Sequence, residues 1–356
     1  MMRLSRAELQ ERNRARVLAA ARAEFAERGF RDAKVDGIAQ RAELTRGAVY
    51  SNFPGKRALY FAVLADLVER APVPPNPQLG TDLRTALGAL ARAWVTSPAF
   101  DPLHRDFPAE VAAEEGTRRP FTQLLKLDAL LLGLAVERLA VERPTPAGAR
   151  SGGPPRRMVR VAETVLTALH GASGLAAAAP GFGEQFDVIS ACERLAGLDL
   201  SDWWPSPEHP PVRVEDAPWR PPTAVDLVRA APVPPDGDGV VVVLGLNRLA
   251  AAEEAVRTGG PVTVVAVTGE PGELAPLVRL VVGQLCGCLR QAFPVGAWPG
   301  VRVVCDDDGV LAAAAGVPAV SDETEVAVRV RGGRVVARAE GAGAGHAVGV
   351  GVRAEV

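Results

Sequence analysis

The nineteen residues Val35-Asp36-Gly37-Ile38-Ala39-Gln40-Arg41-Ala42-Glu43-Leu44-Thr45-Arg46-Gly47-Ala48-Val49-Tyr50-Ser51-Asn52-Phe53 carry the clearest structural signal in this chain. They divide into two short segments separated by a turn at Glu43, and Thr45 stands where it can cap the second segment. Two short helices that pack at a steep angle need apolar side chains at their junction. The stretch supplies four of them: Ile38, Ala39, Leu44 and Val49. The pattern predicts a helix-turn-helix.

Helical patterns continue on both sides of this stretch. Upstream, apolar residues recur at three- and four-residue spacing from Arg12 to Arg28, and Gly29 is placed to end that helix. Downstream, a helix is expected from Lys56 to about Arg70. Residues 80 to 199 show only helical periodicity, with helices expected near 82–96, 108–115, 121–142, 157–179 and 184–198.

The net charge of -2 hides an uneven distribution. Residues 1–60 contain thirteen Lys or Arg against seven acidic residues, which is +6, and leaves -8 for residues 61–356. A basic head on an acidic body is expected when one end of a chain meets a polyanion and the rest does not.

Three short motifs make a family resemblance recognisable. They are Ile-Ala-x-Arg-Ala at 38–42, Thr-Arg-Gly-Ala-Val-Tyr-x-x-Phe at 45–53 and Lys-x-Ala-Leu-Tyr at 56–60. Together they resemble the DNA-binding domain of TetR-family transcriptional regulators. The similarity is specific over residues 11–62 and only architectural over 63–199, where these regulators have a divergent helical ligand-binding and dimerisation domain. It implies an all-α helix-turn-helix domain at 1–62 and a helical body at 63–199.

The resemblance also assigns the residues that would touch DNA. It places Thr45, Arg46, Gly47 and Ala48 at the leading edge of a recognition helix in the major groove, where an Arg can bind guanine O6 and N7. The resemblance also implies phosphate contacts for Tyr50, Asn52 and Lys56. Lys34 is a further DNA-binding residue that it implies. A basic arm reaching an adjacent groove would contain Arg3, Arg6, Arg12, Arg14 and Arg16.

Two positions depart from the family pattern. Glu43 stands where the family usually has Gly, because that turn residue tends toward positive φ, and a Glu there costs about 1 kcal/mol. Lys34 stands where a Thr or Ser usually caps the second helix. These departures affect the base contacts more than the fold.

The helical body contains a candidate effector pocket. The aromatic residues that could line it are Trp94, Phe100, His104, Phe107, Phe121 and His170. Aromatic residues in such positions are more often ordinary core residues. The last two helices of the body, around 159–179 and 186–198, are rich in Ala and Leu and suit a four-helix dimer interface, as the resemblance implies.

Residues 200–235 are predicted as a linker, because they hold ten of the thirty prolines. The same stretch contains Trp203, Trp204 and Trp219, so we expect it to lie on the flanking domains. Beyond it the periodicity changes. Strand patterns near 240–244, 262–267, 301–304, 325–330 and 334–339 alternate at first with helical ones, which predicts a separate α/β domain at 236–356 with a mostly parallel sheet.

The order of these strands and helices weakly resembles a thioredoxin- or peroxiredoxin-like domain. Where such folds carry the nucleophilic Cys, this chain reads Leu246-Asn247-Arg248-Leu249-Ala250. Without a thiol there the redox chemistry cannot run, so the resemblance implies a binding, sensing or dimer-stabilising module.

The remaining chemical candidates are weaker. Cys286-Gly287-Cys288 could be a redox pair or half of a metal site, but neighbours at i and i+2 on a helix point apart, which favours structural cysteines. The run Asp306-Asp307-Asp308-Gly309 is expected to cap a helix rather than hold a cation. We predict no catalytic residue, metal or cofactor.

Taken together, the sequence predicts a ligand-responsive regulator, most simply a repressor. It would bind double-stranded DNA at a pseudo-palindromic operator as a homodimer and respond to a small molecule. No apolar stretch approaches the roughly 20 residues of a membrane span, and the N-terminus lacks a signal-peptide pattern, so a cytoplasmic location without membrane contact is expected. Two alternatives stay open. The C-terminal domain could make the chain a DNA-tethered thiol or ligand-converting enzyme, or it could be a protein-interaction module.

Overall fold

The computed structural model describes residues 5–75, 77–141, 157–200, 208–233 and 237–350. The first four helices are α1 (Arg6–Asp32), α2 (Val35–Arg41), α3 (Arg46–Tyr50) and α4 (Lys56–Glu69). Helix α1 begins six residues earlier than predicted, because Ser5 and Glu8 form a reciprocal capping box ahead of the apolar pattern. Gly29, at φ +73°, interrupts α1 where its end was expected.

In the described part of the helical body, five α-helices follow. They are α5 (Leu83–Val95), α6 (Phe107–Ala112), α7 (Glu115–Val141), α8 (Val159–Ala178) and α9 (Gln185–Leu195). Helix α7 starts six residues before its predicted start and continues through Pro120. The other predicted bounds lie within about three residues of the observed ones, as expected for local periodicity.

The C-terminal region contains a six-stranded sheet in the order β1-β8-β7-β4-β5-β6. Its strands are β1 (Arg213–Pro218), β4 (Gly239–Gly245), β5 (Val262–Val267), β6 (Arg302–Cys305), β7 (Glu325–Arg331) and β8 (Arg334–Glu340), and a separate two-stranded ribbon is formed by β2 (Val225–Asp226) and β3 (Ala231–Pro232). Strands β4, β5 and β6 are parallel, whereas β7, β8 and β1 join by antiparallel pairing. The prediction of a mostly parallel sheet was therefore wrong. The sheet is mixed, because the β7–β8 hairpin pairs with the free side of β4 and not beyond β6.

Part of the predicted linker belongs to this sheet. Strand β1, within 200–235, is an edge strand paired with β8, and the amide of Trp219 donates to the carbonyl of Gly333 (2.9 Å). The indole of Trp219 is buried in the apolar layer beneath the sheet. Trp203 and Trp204 lie outside the described residues.

Helices cover both faces of the sheet. They are α10 (Ala252–Val256), α11 (Pro271–Ala292), α12 (Val310–Ala314) and α13 (Ala344–Val350). Alternate strand residues face opposite layers, as the two-residue period of a strand requires. Val241 and Val243 pack with α12, whereas Val240 and Val242 belong to the core that α10, α11 and α13 share.

Helix α11 joins the sheet to the helical body. It packs against α4, α5 and α7, and a single cluster of buried side chains runs from Val17 in α1 to Val348 in α13. The sheet region is thus not separate from the body, in contrast to the expectation. Among the described residues α11 is the one helix long and apolar enough to cross a bilayer, and 72% of its apolar window is buried inside the protein.

Candidate nucleic-acid interface

The turn between α2 and α3 has the predicted special geometry. Glu43 adopts φ +50°, and the amide of Leu44 donates to the carbonyl of Ala39 (3.0 Å), which closes the turn. The Glu43 carboxylate pairs with Arg16 of α1 at 2.9 Å. The ion pair ties the strained turn to α1, and it also occupies one arginine of the predicted basic arm.

The leading edge of α3 faces away from the protein. Thr45 caps the helix by accepting a hydrogen bond from the amide of Ala48 (3.2 Å), while Val49 is buried against α1 and α2. Arg46 and Gly47 are exposed on the opposite side. One side of this five-residue helix therefore builds the core, and the other is free to enter a groove.

Two neighbours orient the Arg46 side chain, although it is 61% exposed. Its Nη1 lies 3.4 Å from Asp36 Oδ1, and its Nη2 donates to Tyr50 Oη at 3.4 Å. The guanidinium also lies 5.5 Å from the centre of the Tyr50 ring. The hydrogen bond to Tyr50 and the charge of Asp36 raise the pKa of Arg46 above its ordinary value. Sequence reasoning missed Asp36, which stands in the first turn of α2.

Asn52 and Arg14 pack at the end of α3. The Asn52 amide nitrogen donates to the carbonyl of Ala48 (2.8 Å), and Arg14 donates to the Asn52 carbonyl (3.4 Å) while lying over the Phe53 ring. Asn52 therefore helps to end the helix. Of the other predicted arm residues, Arg6 and Arg12 are exposed on α1, and Arg3 lies outside the described residues.

The structure corrects the expectation for Lys56. Its Nζ donates to the carbonyls of Phe30 (2.8 Å), Arg31 (3.2 Å) and Ala33 (3.2 Å) and lies over the Phe30 ring. These bonds use all three donors of the ammonium group. Lys56 thus ties the end of α1 to the start of α4 and is not free for a phosphate. Lys34, in contrast, is exposed at the start of α2 and makes no capping hydrogen bond through its side chain.

A buried acid holds α1 against α2. Glu24 is almost fully buried and pairs with Arg41 of α2 (2.7 Å) and with Arg28 one turn along α1 (3.2 Å). Only the i, i+4 spacing of Glu24 and Arg28 hinted at such a role in the sequence. The pair of Glu24 with Arg41 thereby fixes α2, which precedes the recognition edge on α3, relative to α1.

In the helical body, five of the six predicted pocket residues form a chain of ring contacts. The contacts, by centroid distance, are Trp94–His170 (4.9 Å), His170–Phe121 (6.2 Å), Phe121–Phe107 (5.6 Å) and Phe107–His104 (4.7 Å). Phe100 and His104 line a cavity of about 260 Å³, which also borders Ser173 and Gly174 of α8. The other four residues pack behind it.

The nitrogen atoms of this aromatic cluster are unusual. Trp94 Nε1, His104 Nδ1 and His170 Nε2 are buried and have no hydrogen-bond partner among the described residues. Burial lowers the pKa of both His104 and His170 to about 4, so both imidazoles are neutral at pH 7.

The candidate reactive groups of the C-terminal region are buried or take part in structural hydrogen bonds. Cys286 and Cys288 are buried on α11, and burial raises the pKa of both thiols. Asp306 caps α12 by accepting from the amides of Leu311 and Ala312, as predicted. The loop after β4 lies against the helical body, where the amide of Ala250 donates to Gln123 of α7 (2.9 Å). No cluster of three or more metal-ligating side chains occurs within the described ranges.

Comparison with known proteins identifies the N-terminal segment. Residues 17–63 match the family "Bacterial regulatory proteins, tetR family". The chain is 40% identical over 82 residues to the HTH-type transcriptional regulator SrpR of Pseudomonas putida, covering 23% of this chain and 38% of that protein. It is equally similar to the uncharacterized HTH-type transcriptional regulator TtgW, also of Pseudomonas putida, covering 23% of this chain and 60% of that one. The matches thus span less than two thirds of either relative.

Two solved structures are also similar, both TetR-type transcriptional regulators from Rhodococcus sp. RHA1. Their identities are 19% and 20% and their TM-scores 0.32 and 0.28. The matches cover 53% and 55% of this chain and 95% and 96% of those chains. The family match and the two Pseudomonas relatives identify residues 17–63 as a TetR-family helix-turn-helix domain.

Proposed function

We propose that this protein is a ligand-responsive transcriptional regulator, most simply a repressor, that acts in the cytoplasm. It binds a pseudo-palindromic operator in double-stranded DNA as a homodimer, one recognition helix per half-site. A small molecule bound in the helical body favours a conformation in which the two helices no longer fit successive major grooves.

The outward edge of α3 carries this proposal. Arg46 projects from a TetR-family helix-turn-helix, and Asp36 and Tyr50 hold it at the surface with part of its donor edge free. A guanidinium in that position can reach guanine O6 and N7 bidentately. Lys34 is exposed at the start of α2, and its positive charge suits a contact with a DNA phosphate.

The aromatic cluster supports a neutral, largely apolar effector. A cavity of about 260 Å³ suits a small molecule; among the residues that line it, His104 is a neutral imidazole, and Asp101 and Arg105 carry charges of opposite sign. The unpartnered Nδ1 of His104, which lines the cavity, can donate to, or accept from, a polar group on such a molecule.

Exposed aromatic residues support dimerisation through α8 and α9. Phe182 and Phe186 are 76% and 74% exposed at the α8–α9 corner, and Leu175, in the last turn of α8, is 50% exposed. A second copy of the chain would bury them in a four-helix interface.

We expect Phe186→Glu to shift the protein to monomers in analytical ultracentrifugation. The matched control, Val73→Glu at a site 71% exposed in the α4–α5 connection, should leave the assembly unchanged; equal behaviour of the two variants would rule out this interface.

The enzyme alternative lacks a supporting site. The thiols of α11 are buried, and the loop after β4 is packed against α7 rather than open to a substrate. We therefore propose that the C-terminal region is not catalytic. No contact among the described residues favours an interaction module in the C-terminal region.

Selection of binding sites from random duplex DNA, followed by footprinting on DNA upstream of the coding sequence, tests the proposal. We expect a two-fold symmetric site that the protein protects in the absence of a neutral, largely apolar effector and does not protect in its presence. Binding that shows no sequence preference in the selection would overturn the regulator assignment.

A further inference from the structure

Helix α11 runs beside α4 in the same direction. Its first turn meets the turn that follows α3, where a Cβ on Gly272 would lie 3.3 Å from Pro54. Near its middle, a Cβ on Gly283 would lie 3.3 Å from the side chain of Val68, in the last turn of α4. The two helices therefore approach closely from one end of α4 to the other.

Ion pairs join α11 to both ends of α4. Arg57, in the first turn of α4, donates to Glu273 of α11 (2.7 Å). Glu69, at the end of α4, lies 3.7 Å from Arg279 of α11, which also pairs with Asp307 after β6. The Arg57 and Glu273 side chains are only 19% and 23% exposed, so water and salt screen this pair less than an ordinary surface pair.

Arg57 also connects a third part of the molecule. Its Nη2 donates to Glu114 (2.6 Å), at the corner between α6 and α7 of the helical body. The guanidinium thus joins α4, the body and the C-terminal region a few residues after the recognition helix. The bonds to Glu114 and Glu273 outweigh desolvation and raise the pKa of Arg57.

We propose that the C-terminal α/β region braces the DNA-binding head, and that Glu273 is the positioning residue which, through Arg57, fixes the start of α4 and the direction of α3. This inference rests on the proposed function, since a brace matters only if α3 must meet a groove. A head held in its binding orientation loses less conformational freedom on DNA than a loose one. The brace would thus strengthen binding without touching DNA.

The test compares two variants of the full chain, Glu273→Gln and Glu253→Gln. Glu253 is a matched control, because its side chain is also 23% exposed and it pairs with Arg257 inside α10, where it does not contact α4. Amide hydrogen exchange is measured over residues 51–60, and affinity is measured for the selected DNA site. We expect Glu273→Gln to speed exchange there by at least about threefold and to weaken DNA binding by about 3- to 10-fold, the range of one partly buried ion pair.

A double variant locates the effect. If Glu273 acts through Arg57, Glu273→Gln adds nothing to the exchange rate of Arg57→Gln. Unchanged exchange in Glu273→Gln, or an equal change in Glu253→Gln, overturns the brace. If no DNA site can be selected, the proposed function fails, and the exchange comparison still decides whether α11 holds the head.

Discussion

At the residue scale, some cationic side chains of the candidate interface point outward, and others stabilise the N-terminal helices. Arg46 and Lys56 were both assigned to DNA, yet only Arg46 is exposed. Lys56 is bound to three carbonyls at the end of α1. Two cations ten residues apart thus have different tasks, because the second lies where α1 leaves several carbonyls without helical partners.

Arg46→Ala should therefore mainly weaken DNA binding, whereas Lys56→Met should mainly lower the stability of the fold. Arg46→Ala removes an exposed side chain, so the free energy of unfolding should change by less than about 0.5 kcal/mol, while DNA binding weakens by about 1–3 kcal/mol and loses base preference. Lys56→Met leaves the part-buried carbonyls of Phe30 and Ala33 without this donor and should lower the free energy of unfolding by about 1–3 kcal/mol. Urea unfolding and binding to matched and mismatched DNA measure both quantities. A large stability loss in Arg46→Ala, or none in Lys56→Met, would contradict these roles.

At the element scale, the burial of α4 on all sides depends on its packing against α11. Nine of the fourteen residues of α4 are buried, on every side of the helix. A helix that is apolar all round needs cover on more than one side, and α1 supplies only one layer. The buried residues of α4 therefore require a second cover besides α1. That cover is α11, more than two hundred residues away along the chain.

The interface of α7 with α11 contains an unpaired acid. Asp128 on α7 is fully buried, and neither carboxylate oxygen has a hydrogen-bond partner among the described residues. Burial raises its pKa well above the ordinary value, and the charge of Asp128 adds to burial in raising the pKa of Cys286 on α11. Folding therefore keeps this acid protonated at pH values where the unfolded chain ionises it.

Asp128→Leu should stabilise the protein at neutral pH. The folded chain holds the Asp128 proton above the unfolded pKa of about 4, so the acid costs stability as the pH rises from there. An apolar residue of similar shape removes that cost, and we expect the free energy of unfolding to rise by about 1–3 kcal/mol at pH 7.5 and by less at pH 4.5. Denaturant melts at the two pH values, with exposed Asp308→Leu as the control, measure this. A gain of equal size at both pH values would show that ionisation is not the cause.

At the scale of the whole molecule, the local patterns were sufficient for most elements but not for their assembly. Periods of 3.6 and 2 residues predicted α2, α4, α5 and β5 to within about two residues. Strand β1 was missed because its residues lie in a proline-rich stretch and become a strand only by pairing with β8, more than a hundred residues later. The face that α11 presents to the body was missed for the same reason.

Acid should destabilise the molecule through its neutral histidines. His104 and His170 have pKa values lowered to about 4 by burial, whereas the unfolded chain binds these protons near pH 6.5. Stability is therefore lost as the pH falls from about 6.5 toward 4, by up to about 1.4 kcal/mol per pH unit for each histidine. His170→Phe keeps the ring packing and should remove one histidine's share of the slope between pH 6.5 and 5. Denaturant melts across that range measure it, and an unchanged slope would mean that folding does not lower the pKa of His170.

The sequence alone determined that this chain carries a helix-turn-helix at 35–53 on a basic head, because those signals depend on residues within a few turns of one another. It also determined that helical periodicity changes to strand periodicity in the last third of the chain. Only the tertiary structure decided that Lys56 faces α1, that the sheet is mixed, and that α11 covers α4. Each of these depends on groups far apart in sequence, such as Arg57 and Glu273, 216 residues apart, whose meeting is set by how the whole apolar core packs.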